Sequence, residues 1–153
     1  MESNCNKSPK ITAEYLFTYG TFRHPYVQEK IFGHTITGEE GILEGHAINC
    51  AGTYYDIIEN NGSSVKGMVL PVTEEDLDCA DIWEDVPLYS RCRKKIRVKD
   101  GFVTAVVYVK TQKDEPFIEL TDYDSLTQLP DEKLKREIDA CVAANPALQR
   151  NTR

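Results

Sequence analysis

The sequence lacks most of the short motifs that identify an enzyme by inspection. It contains no P-loop pattern, no dinucleotide-binding glycine fingerprint, no HExxH and no GxSxG. Histidine is scarce, and the three copies are widely spaced: His24, His34 and His46. This spacing does not indicate a metal cluster, so we interpret the histidines as surface or turn residues. We expect neither a metal nor another cofactor.

Cysteine pairs and long apolar runs are also missing. The five cysteines are odd in number and scattered without a CxxC pair: Cys5, Cys50, Cys79, Cys92 and Cys141. This distribution predicts neither a redox pair nor a zinc knuckle. No apolar run approaches the ~20 residues of a membrane span, and no leader-like apolar region follows Met1. We expect a cytoplasmic protein with reduced thiols and no membrane partner.

Positive charge is in short supply, because 18 Lys and Arg residues face 25 Asp and Glu residues, for a net charge of −7. Such a balance argues against a duplex-binding protein. The basic run over residues 91–99 is the exception, and alternate positions place five cations on one strand face: Arg91, Arg93, Lys95, Arg97 and Lys99. This face is either an anion or RNA patch or a solvated face with edge-protecting lysines. The overall charge favours the second interpretation, and we expect no nucleic-acid partner.

The length of 153 residues and the hydrophobic patterning predict one domain. Strand patterns dominate the middle of the chain, at 14–19, 42–49, 53–58, 65–72, 91–98 and 102–110, with helical patterns at 25–32, 73–83 and 134–142. Asn61-Gly62 and Asp100-Gly101 predict two hairpin turns. The predicted fold class is α+β, a small mixed β-barrel with flanking helices.

The predicted organisation has three parts. Residues 1–12 are polar and predict a flexible N-terminal arm. Residues 13–115 carry the strand patterns and predict the barrel domain. Residues 116–153 predict a C-terminal extension with one helix packed on the same domain.

Two segments are unlike ordinary scaffold. In residues 17–23 a strand runs into Gly20, and such a turn can present backbone N–H groups as an anion nest, although a plain strand end is the alternative. In residues 77–91, Glu84 follows the apolar face of a helix and sits beside Trp83. An apolar neighbour raises the pKa of a carboxylic acid, as an acid/base catalyst requires, whereas a solvated helix end is the alternative.

Together these segments resemble the γ-glutamylcyclotransferase-like superfamily, which includes AIG2-like proteins and γ-glutamylaminecyclotransferase. The resemblance covers residues 14–110 and rests on three motifs in order: Tyr19-Gly20-Thr21-Phe22; Asp81-Ile82-Trp83-Glu84 followed by Pro87, Tyr89 and Arg91; and Val107-Tyr108-Val109. Two shorter strand segments, Leu43-Glu44-Gly45-His46 and Val65-Lys66-Gly67-Met68-Val69, also match the family pattern.

Four residues depart from the family pattern. Phe22 replaces the usual leucine and keeps an apolar anchor, while His24-Pro25 stands where a basic residue and glycine are common. Met68 stands where many members have glutamate. These changes leave the proposed catalytic carboxylate intact and bear on the choice of substrate. The segment after residue 115 has no counterpart in the pattern.

The resemblance implies an enzyme of the γ-glutamylcyclotransferase type, an acyltransferase or lyase that forms 5-oxoproline. The α-amine of a γ-glutamyl group attacks its own γ-carbonyl, and an amine or amino acid leaves. This reaction needs no metal and no enzyme nucleophile, because the nucleophile is tethered within the substrate. The implied partner is a small γ-glutamyl molecule, while the oligomeric state is not predicted.

The resemblance also implies roles for particular residues. Glu84 becomes the general acid and base. The substrate carboxylate or the oxyanion is held by backbone N–H groups of four successive residues: Tyr19, Gly20, Thr21 and Phe22. Tyr89 and Tyr108 are expected to line the pocket. Arg91 either orients a carboxylate or forms a salt bridge with Asp81 or Asp85.

Substrate and function class remain open at the level of sequence. The leaving group could be an amino acid, the ε-amine of lysine, the remainder of glutathione or another amine, and the segment after Glu84 most resembles the aminecyclotransferase type. The alternative function is a non-catalytic small-molecule-binding or protein-interaction module on the same fold. A third hypothesis is RNA binding through the basic run.

Overall fold

Five strands close into a barrel in the order β1-β3-β2-β4-β5. The computed structural model describes residues 14–51, 55–84, 88–120 and 132–149. The strands are β1 Glu14–Thr18, β2 Glu39–Asn49, β3 Asp56–Val72, β4 Tyr89–Val98 and β5 Gly101–Lys110. Neighbouring strands are antiparallel except β1 and β5, which run parallel where Leu16 pairs with Val106 and so close the barrel. The predicted α+β barrel with flanking helices is confirmed.

The flanking helices begin and end at the signals visible in the sequence. They are α1 Pro25–Phe32, α2 Glu74–Trp83, α3 Glu132–Ala144 and α4 Pro146–Gln149, with a short 3₁₀ turn at Thr21–Arg23. Helix α1 ends at Gly33, whose φ of 86° is the left-handed conformation that glycine adopts readily. Helix α2 begins with a capping box, because the Thr73 hydroxyl accepts from the Asp76 N–H and the Asp76 carboxylate accepts from the Thr73 N–H.

Buried apolar side chains form two clusters on opposite sides of the sheet. The cluster inside the barrel contains Phe17, Tyr19, Leu43, Ile48, Ile57, Val65, Val69, Ile96, Ala105 and Val107. The second cluster lies between the barrel and the helices, and includes Leu16, Phe22, Val27, Ile31, Phe32, Leu70, Val72, Leu77, Tyr89, Val106, Tyr108 and Ile138. Alternation along β1 and β5 therefore sends successive residues into different clusters.

The prediction of a hairpin at Asn61-Gly62 is wrong. Both flanking segments belong to the single strand β3, and both pair with β2, since Leu43 lies opposite Val65 and His46 lies opposite Glu59. The extra residues are accommodated by a shift of register between Glu44 and His46. Gly62 does take the positive φ, 89°, that its Asn-Gly context favours, but it serves a bulge within a strand. The second expected hairpin, between β4 and β5, is confirmed.

Within the described part of the C-terminal region, residues 116–120 and helix α3 contact the rest of the fold. Residues 116–120 approach the end of β2, where the Cys50 N–H donates to the Ile118 carbonyl. In α3, Ile138 is fully buried in the helix-side cluster and Cys141 packs against that cluster. Helix α3 ends at Ala144, just before Asn145-Pro146, and the short α4 begins at Pro146. None of the helices in the described ranges is both long and apolar enough to cross a membrane.

We expect Gly67→Ala to destabilise the barrel, because a Cβ at this position would lie 2.4 Å from the Thr18 carbonyl oxygen and 2.8 Å from the Phe17 ring. Relieving that overlap moves β1 away from β3, which should cost about 1–3 kcal/mol. Urea unfolding of the two proteins measures the difference. Gly20→Ala is the matched control, since nothing lies within 4 Å of its added Cβ. Equal unfolding midpoints for Gly67→Ala and the parent would contradict the close approach.

Candidate active site

Two hydrogen bonds fix the turn after β1, and its glycine faces open space. Gly20 follows the strand, its N–H donates to the Thr18 hydroxyl at 3.3 Å, and its carbonyl accepts from the Arg23 N–H at 3.1 Å. The Cβ position of Gly20 faces open space. The turn therefore exposes backbone to an approaching ligand, as the glycine in the sequence suggested.

Gln28 supports this turn, and sequence reasoning missed it. Its side chain is buried, donates from Nε2 to the Phe22 carbonyl at 2.8 Å, and accepts from the Ile36 N–H at 2.7 Å. Both ends of the amide are thus used to hold the 3₁₀ turn against the segment after α1. A polar residue within the helical pattern of α1 was the available signal.

Glu84 caps the C-terminus of α2, and its N–H donates to the Ala80 carbonyl at 2.8 Å. Burial raises the pKa of the Glu84 carboxyl from 4.5 to about 7. Since the carboxylate form loses hydration without gaining a compensating charge, the acid holds its proton more tightly. At neutral pH this carboxyl is present in both protonation states, which suits a group that must accept and return a proton.

Three buried tyrosines are linked to Glu84 or to one another: Tyr19 directly after β1, Tyr89 in β4 and Tyr108 in β5. Tyr19, Tyr89 and Tyr108 are all less than a tenth exposed. The Tyr19 hydroxyl donates to the Tyr108 carbonyl at 3.3 Å, and the Tyr89 hydroxyl donates to the Tyr55 carbonyl at 2.6 Å. Burial and then the Glu84 charge raise the pKa of Tyr19 well above its usual value. The fold therefore brings Glu84 and the three predicted tyrosines into one region.

Tyr108 is tied to an ion pair at the side of this region. Its hydroxyl donates to Asp81 Oδ1 at 2.5 Å, and the same carboxylate binds Arg91 through Nε at 3.0 Å and Nη2 at 2.8 Å. Burial, with the Asp81 hydrogen bond next, raises the pKa of Tyr108 above its usual range. Of the two roles considered for Arg91, the structure contains the salt bridge to Asp81, while Asp85 lies outside the described residues.

A second buried carboxylate lies near Tyr19. Asp56 is fully buried, and its Oδ1 accepts from the N–H groups of Ile57 and Lys110, both at 2.8 Å. Its Oδ2 accepts from Lys113 Nζ at 2.9 Å. The Asp56 charge contributes to the raised pKa of Tyr19. Sequence reasoning missed Asp56, because a single aspartate at a strand start gives no sign that three donors will converge on it.

Some predicted residues take places other than those a pocket lining requires. The Phe22 ring is buried in the helix-side cluster and stacks on Phe32 with centroids 4.9 Å apart. The Phe22 ring therefore does not line the pocket, and the predicted role of Phe22 concerns its backbone N–H. Nothing is described of the Thr21 side chain, and Pro87 lies outside the described residues. Met68 pairs with Thr18 across β1 and β3 and packs partly against the helix-side cluster.

The basic face of β4 is engaged by partners within the protein. Arg91 contacts Asp81 and Glu74, Arg93 contacts Glu14, and Arg97 Nε lies 2.7 Å from a Glu44 carboxylate oxygen. Lys95 lies over the Phe102 ring at 5.6 Å from its centroid. This is closer to the solvated-face interpretation than to an RNA patch, because most of the positive charge is already matched.

A five-stranded closed barrel with a glycine turn after its first strand and a half-buried glutamate at a helix end defines the structural class. The model of the family described as Gamma-glutamyl cyclotransferase, AIG2-like, matches residues 16–125. Because this match spans more than half of the chain, the protein belongs to the γ-glutamyl cyclotransferase, AIG2-like family. The resemblance stated from the sequence is confirmed.

Solved structures share the fold at low sequence identity. A protein from Arabidopsis thaliana solved in solution is 22% identical, with a TM-score of 0.63, over 88% of this chain and 79% of that one. A mouse AIG2-like protein is also 22% identical, with a TM-score of 0.59, over 78% and 97%. A structure titled Gamma-glutamyl cyclotransferase is 14% identical, with a TM-score of 0.59, over 86% and 99%. A comparison with curated proteins gave no match.

Proposed function

We propose that the protein is a γ-glutamyl cyclotransferase that acts on γ-glutamyl-amines or related γ-glutamyl compounds. The observation that carries the proposal is the Glu84 carboxyl, whose pKa is raised to about 7 by burial and whose charge acts on Tyr19 and Tyr108. The family of cyclotransferases agrees with that activity, as does the open glycine turn that directly follows Tyr19, a tyrosine on which the Glu84 charge acts.

The proposed reaction moves two protons from the α-nitrogen to the leaving nitrogen. The carboxylate form of Glu84 accepts a proton from the substrate α-ammonium, and the freed amine attacks the γ-carbonyl carbon. A lactam C–N bond forms, and Glu84 returns its proton to the leaving nitrogen as the bond to that nitrogen breaks. The new lactam nitrogen then loses its extra proton through Glu84 to the departing amine, which leaves as an ammonium. The products are 5-oxoproline and a free amine or amino acid. The protein mainly holds the folded conformer of a tethered nucleophile.

We propose that the glycine turn binds the negative charge of the substrate. Backbone N–H groups of Tyr19, Gly20, Thr21 and Phe22 would stabilise the substrate carboxylate or the oxyanion that develops on the γ-carbonyl oxygen. The Gly20 N–H would exchange its 3.3 Å hydrogen bond to the Thr18 hydroxyl for one to the substrate. Gln28 would keep the turn in that conformation. Tyr89 and Tyr108 would line the pocket around the γ-glutamyl group.

The test is a panel of γ-glutamyl compounds that differ only in the leaving group. It contains γ-glutamyl amino acids, γ-glutamyl-ε-lysine, glutathione and γ-glutamyl alkylamines, with chromatographic detection of 5-oxoproline. Release from at least one compound supports the proposal, and the preferred compound identifies the leaving group. Binding of these compounds without any 5-oxoproline would instead indicate a non-catalytic binding module.

We expect Gly20→Val to raise KM for the best substrate at least tenfold without loss of folding. The side chain meets no protein atom within 4 Å of its Cβ, so the added methyl groups crowd the ligand space and not the fold. Steady-state kinetics and thermal unfolding measure the two effects separately, and Gly20→Ala serves as the smaller step in the same direction. Unchanged KM and turnover would remove the turn from the site.

A further inference from the structure

The three carboxylates that act on Tyr19 or Tyr108 differ in whether a cation neutralises them. Asp81 pairs with Arg91 Nη2 at 2.8 Å, and Asp56 pairs with Lys113 Nζ at 2.9 Å. Among the described residues, no cation forms a salt bridge with Glu84. Two of three carboxylates are therefore charge-compensated, and the third is left to burial alone.

We propose that Asp81 and Arg91 are positioning residues for Glu84, because Asp81 fixes the Tyr108 hydroxyl and Arg91 cancels the Asp81 charge beside the catalytic carboxyl. The word catalytic here rests on the proposed function. The electrostatic part of the proposal concerns the titration of Glu84 and holds whether or not a substrate is turned over.

Asp81 is placed for this role by helix geometry. It precedes Glu84 by three residues in α2, and side chains at this spacing are neighbours on a helix surface. Its Oδ1 receives the Tyr108 hydroxyl at 2.5 Å, while the Glu84 charge acts on the same phenol and contributes to its raised pKa. Asp81 and Glu84 thus bear on one tyrosine from adjacent turns of one helix.

Arg91 is held in place by more than Asp81. Its Nη1 lies 2.8 Å from Glu74 Oε2 and its Nη2 lies 3.4 Å from Asp78 Oδ1. Glu74, Asp78 and Asp81 recur at the i, i+4 and i+7 positions of one face of α2. The hydrogen bond to Asp81 is the main cause of the raised pKa of Arg91, so the guanidinium remains a cation at any pH where the fold persists.

The charged and titratable groups that act on Tyr19 or Tyr108 come from several elements. They are Asp56 from β3, Tyr89 and Arg91 from β4, Asp81 from α2, and Glu84 at the C-terminal cap of α2. The raised pKa values of Tyr19 and Tyr108 keep both phenols neutral at neutral pH, and Lys113 compensates Asp56. The Asp81–Arg91 pair is therefore the element whose disruption exposes Glu84 to a new net charge.

Removing one partner of this pair at a time should move the Glu84 pKa in opposite directions. In Arg91→Gln an uncompensated Asp81 carboxylate disfavours a second negative charge, so the pKa of Glu84 should rise by about half to one pH unit. In Asp81→Asn one negative charge near Glu84 is lost, which favours the Glu84 carboxylate, so the pKa should fall by a similar amount. The double variant should return close to the parent value.

The direct measurement is an NMR titration of the Glu84 side-chain carboxyl carbon in protein labelled with ¹³C-glutamate, assigned by its loss in Glu84→Gln. Arg97→Gln is the matched control, because it breaks an exposed pair on the same strand with Glu44 and should leave the Glu84 titration unchanged. Shifts in the same direction for both single variants, or no shift in either, would overturn the proposal.

Two further readouts separate this inference from a purely structural role and from the proposed function. Arg91→Lys keeps the charge and should restore the Glu84 titration, even if Arg91→Gln folds poorly. For an active enzyme, the acid limb of kcat/KM against pH should move with the NMR pKa of each variant. If the parent releases no 5-oxoproline from any compound, the proposed function fails, while the titration still decides the electrostatic inference.

Discussion

Glu84→Gln is expected to keep the fold and to lower turnover of the best γ-glutamyl substrate by about two to four orders of magnitude. The amide occupies the same space as the carboxyl but can neither accept the α-ammonium proton nor return one to the leaving nitrogen. Loss of a positioned general acid/base is typically of this size. Rates of 5-oxoproline release at saturating substrate measure the effect.

The matched control for this variant is Glu75→Gln. Glu75 lies in the first turn of the same helix and is exposed, so the substitution removes one negative charge without touching the site. It should retain parent activity. A folded Glu84→Gln protein with near-parent turnover would rule out Glu84 as the acid/base and with it the mechanism proposed above.

The same substitution should stabilise the protein at alkaline pH. The pKa of Glu84 is about 7 in the folded state against an ordinary value of 4.5, so between these values the folded state binds more protons than the unfolded state. The free energy of unfolding of the parent therefore falls as pH rises from 4.5 through 7. Because a tenfold change in proton affinity is about 1.4 kcal/mol, we expect Glu84→Gln to be more stable than the parent by roughly 3 kcal/mol at pH 8.5.

Urea unfolding at pH 4 and at pH 8.5 tests this expectation. The two proteins should differ little at pH 4, where the parent carboxyl is protonated in both the folded and unfolded states. Glu75→Gln should follow the parent at both values, because its carboxyl is exposed. A constant difference between Glu84→Gln and the parent across this pH range would show that Glu84 titrates normally in the folded protein.

Activity and stability are opposed at this residue for one physical reason. A carboxyl that is desolvated without a cation costs folding free energy whenever it is charged. The same desolvation places its pKa near neutrality, where one group can serve as base and then as acid. A variant that gains stability at pH 8.5 while losing turnover would combine both consequences of burial in a single residue.

Local sequence signals predicted the elements well wherever the relevant interaction lies within a few residues. Helix α2 was expected over 73–83 and runs from Glu74 to Trp83, because the Thr73–Asp76 capping box spans only four residues. Helix α1 ends at Gly33 for a similarly local reason. The hairpin between β4 and β5 follows from Asp100-Gly101 at its tip.

At Asn61-Gly62 the local sequence predicted the conformation of the glycine but not the path of the chain. Asn-Gly specifies a positive φ at glycine, and Gly62 adopts one. Whether the chain then folds back or continues depends on which strand pairs with the flanking segments. Here β2 pairs with both of them, so the turn residues become a bulge in one long strand.

The sequence by itself determined the family of the protein and predicted Glu84 as the residue that would carry out the chemistry. Its ordered motifs, from the Tyr19-Gly20 turn to Glu84 and Tyr108, led to the family that the comparison confirmed. Only the tertiary structure decided the electrostatics of the site. Asp56, Asp81 and Glu84 are chemically alike in a sequence, but Lys113 reaches the first, Arg91 reaches the second, and burial acts on the third. Those cations and that burial come from segments distant in the chain, which only the closed barrel brings together.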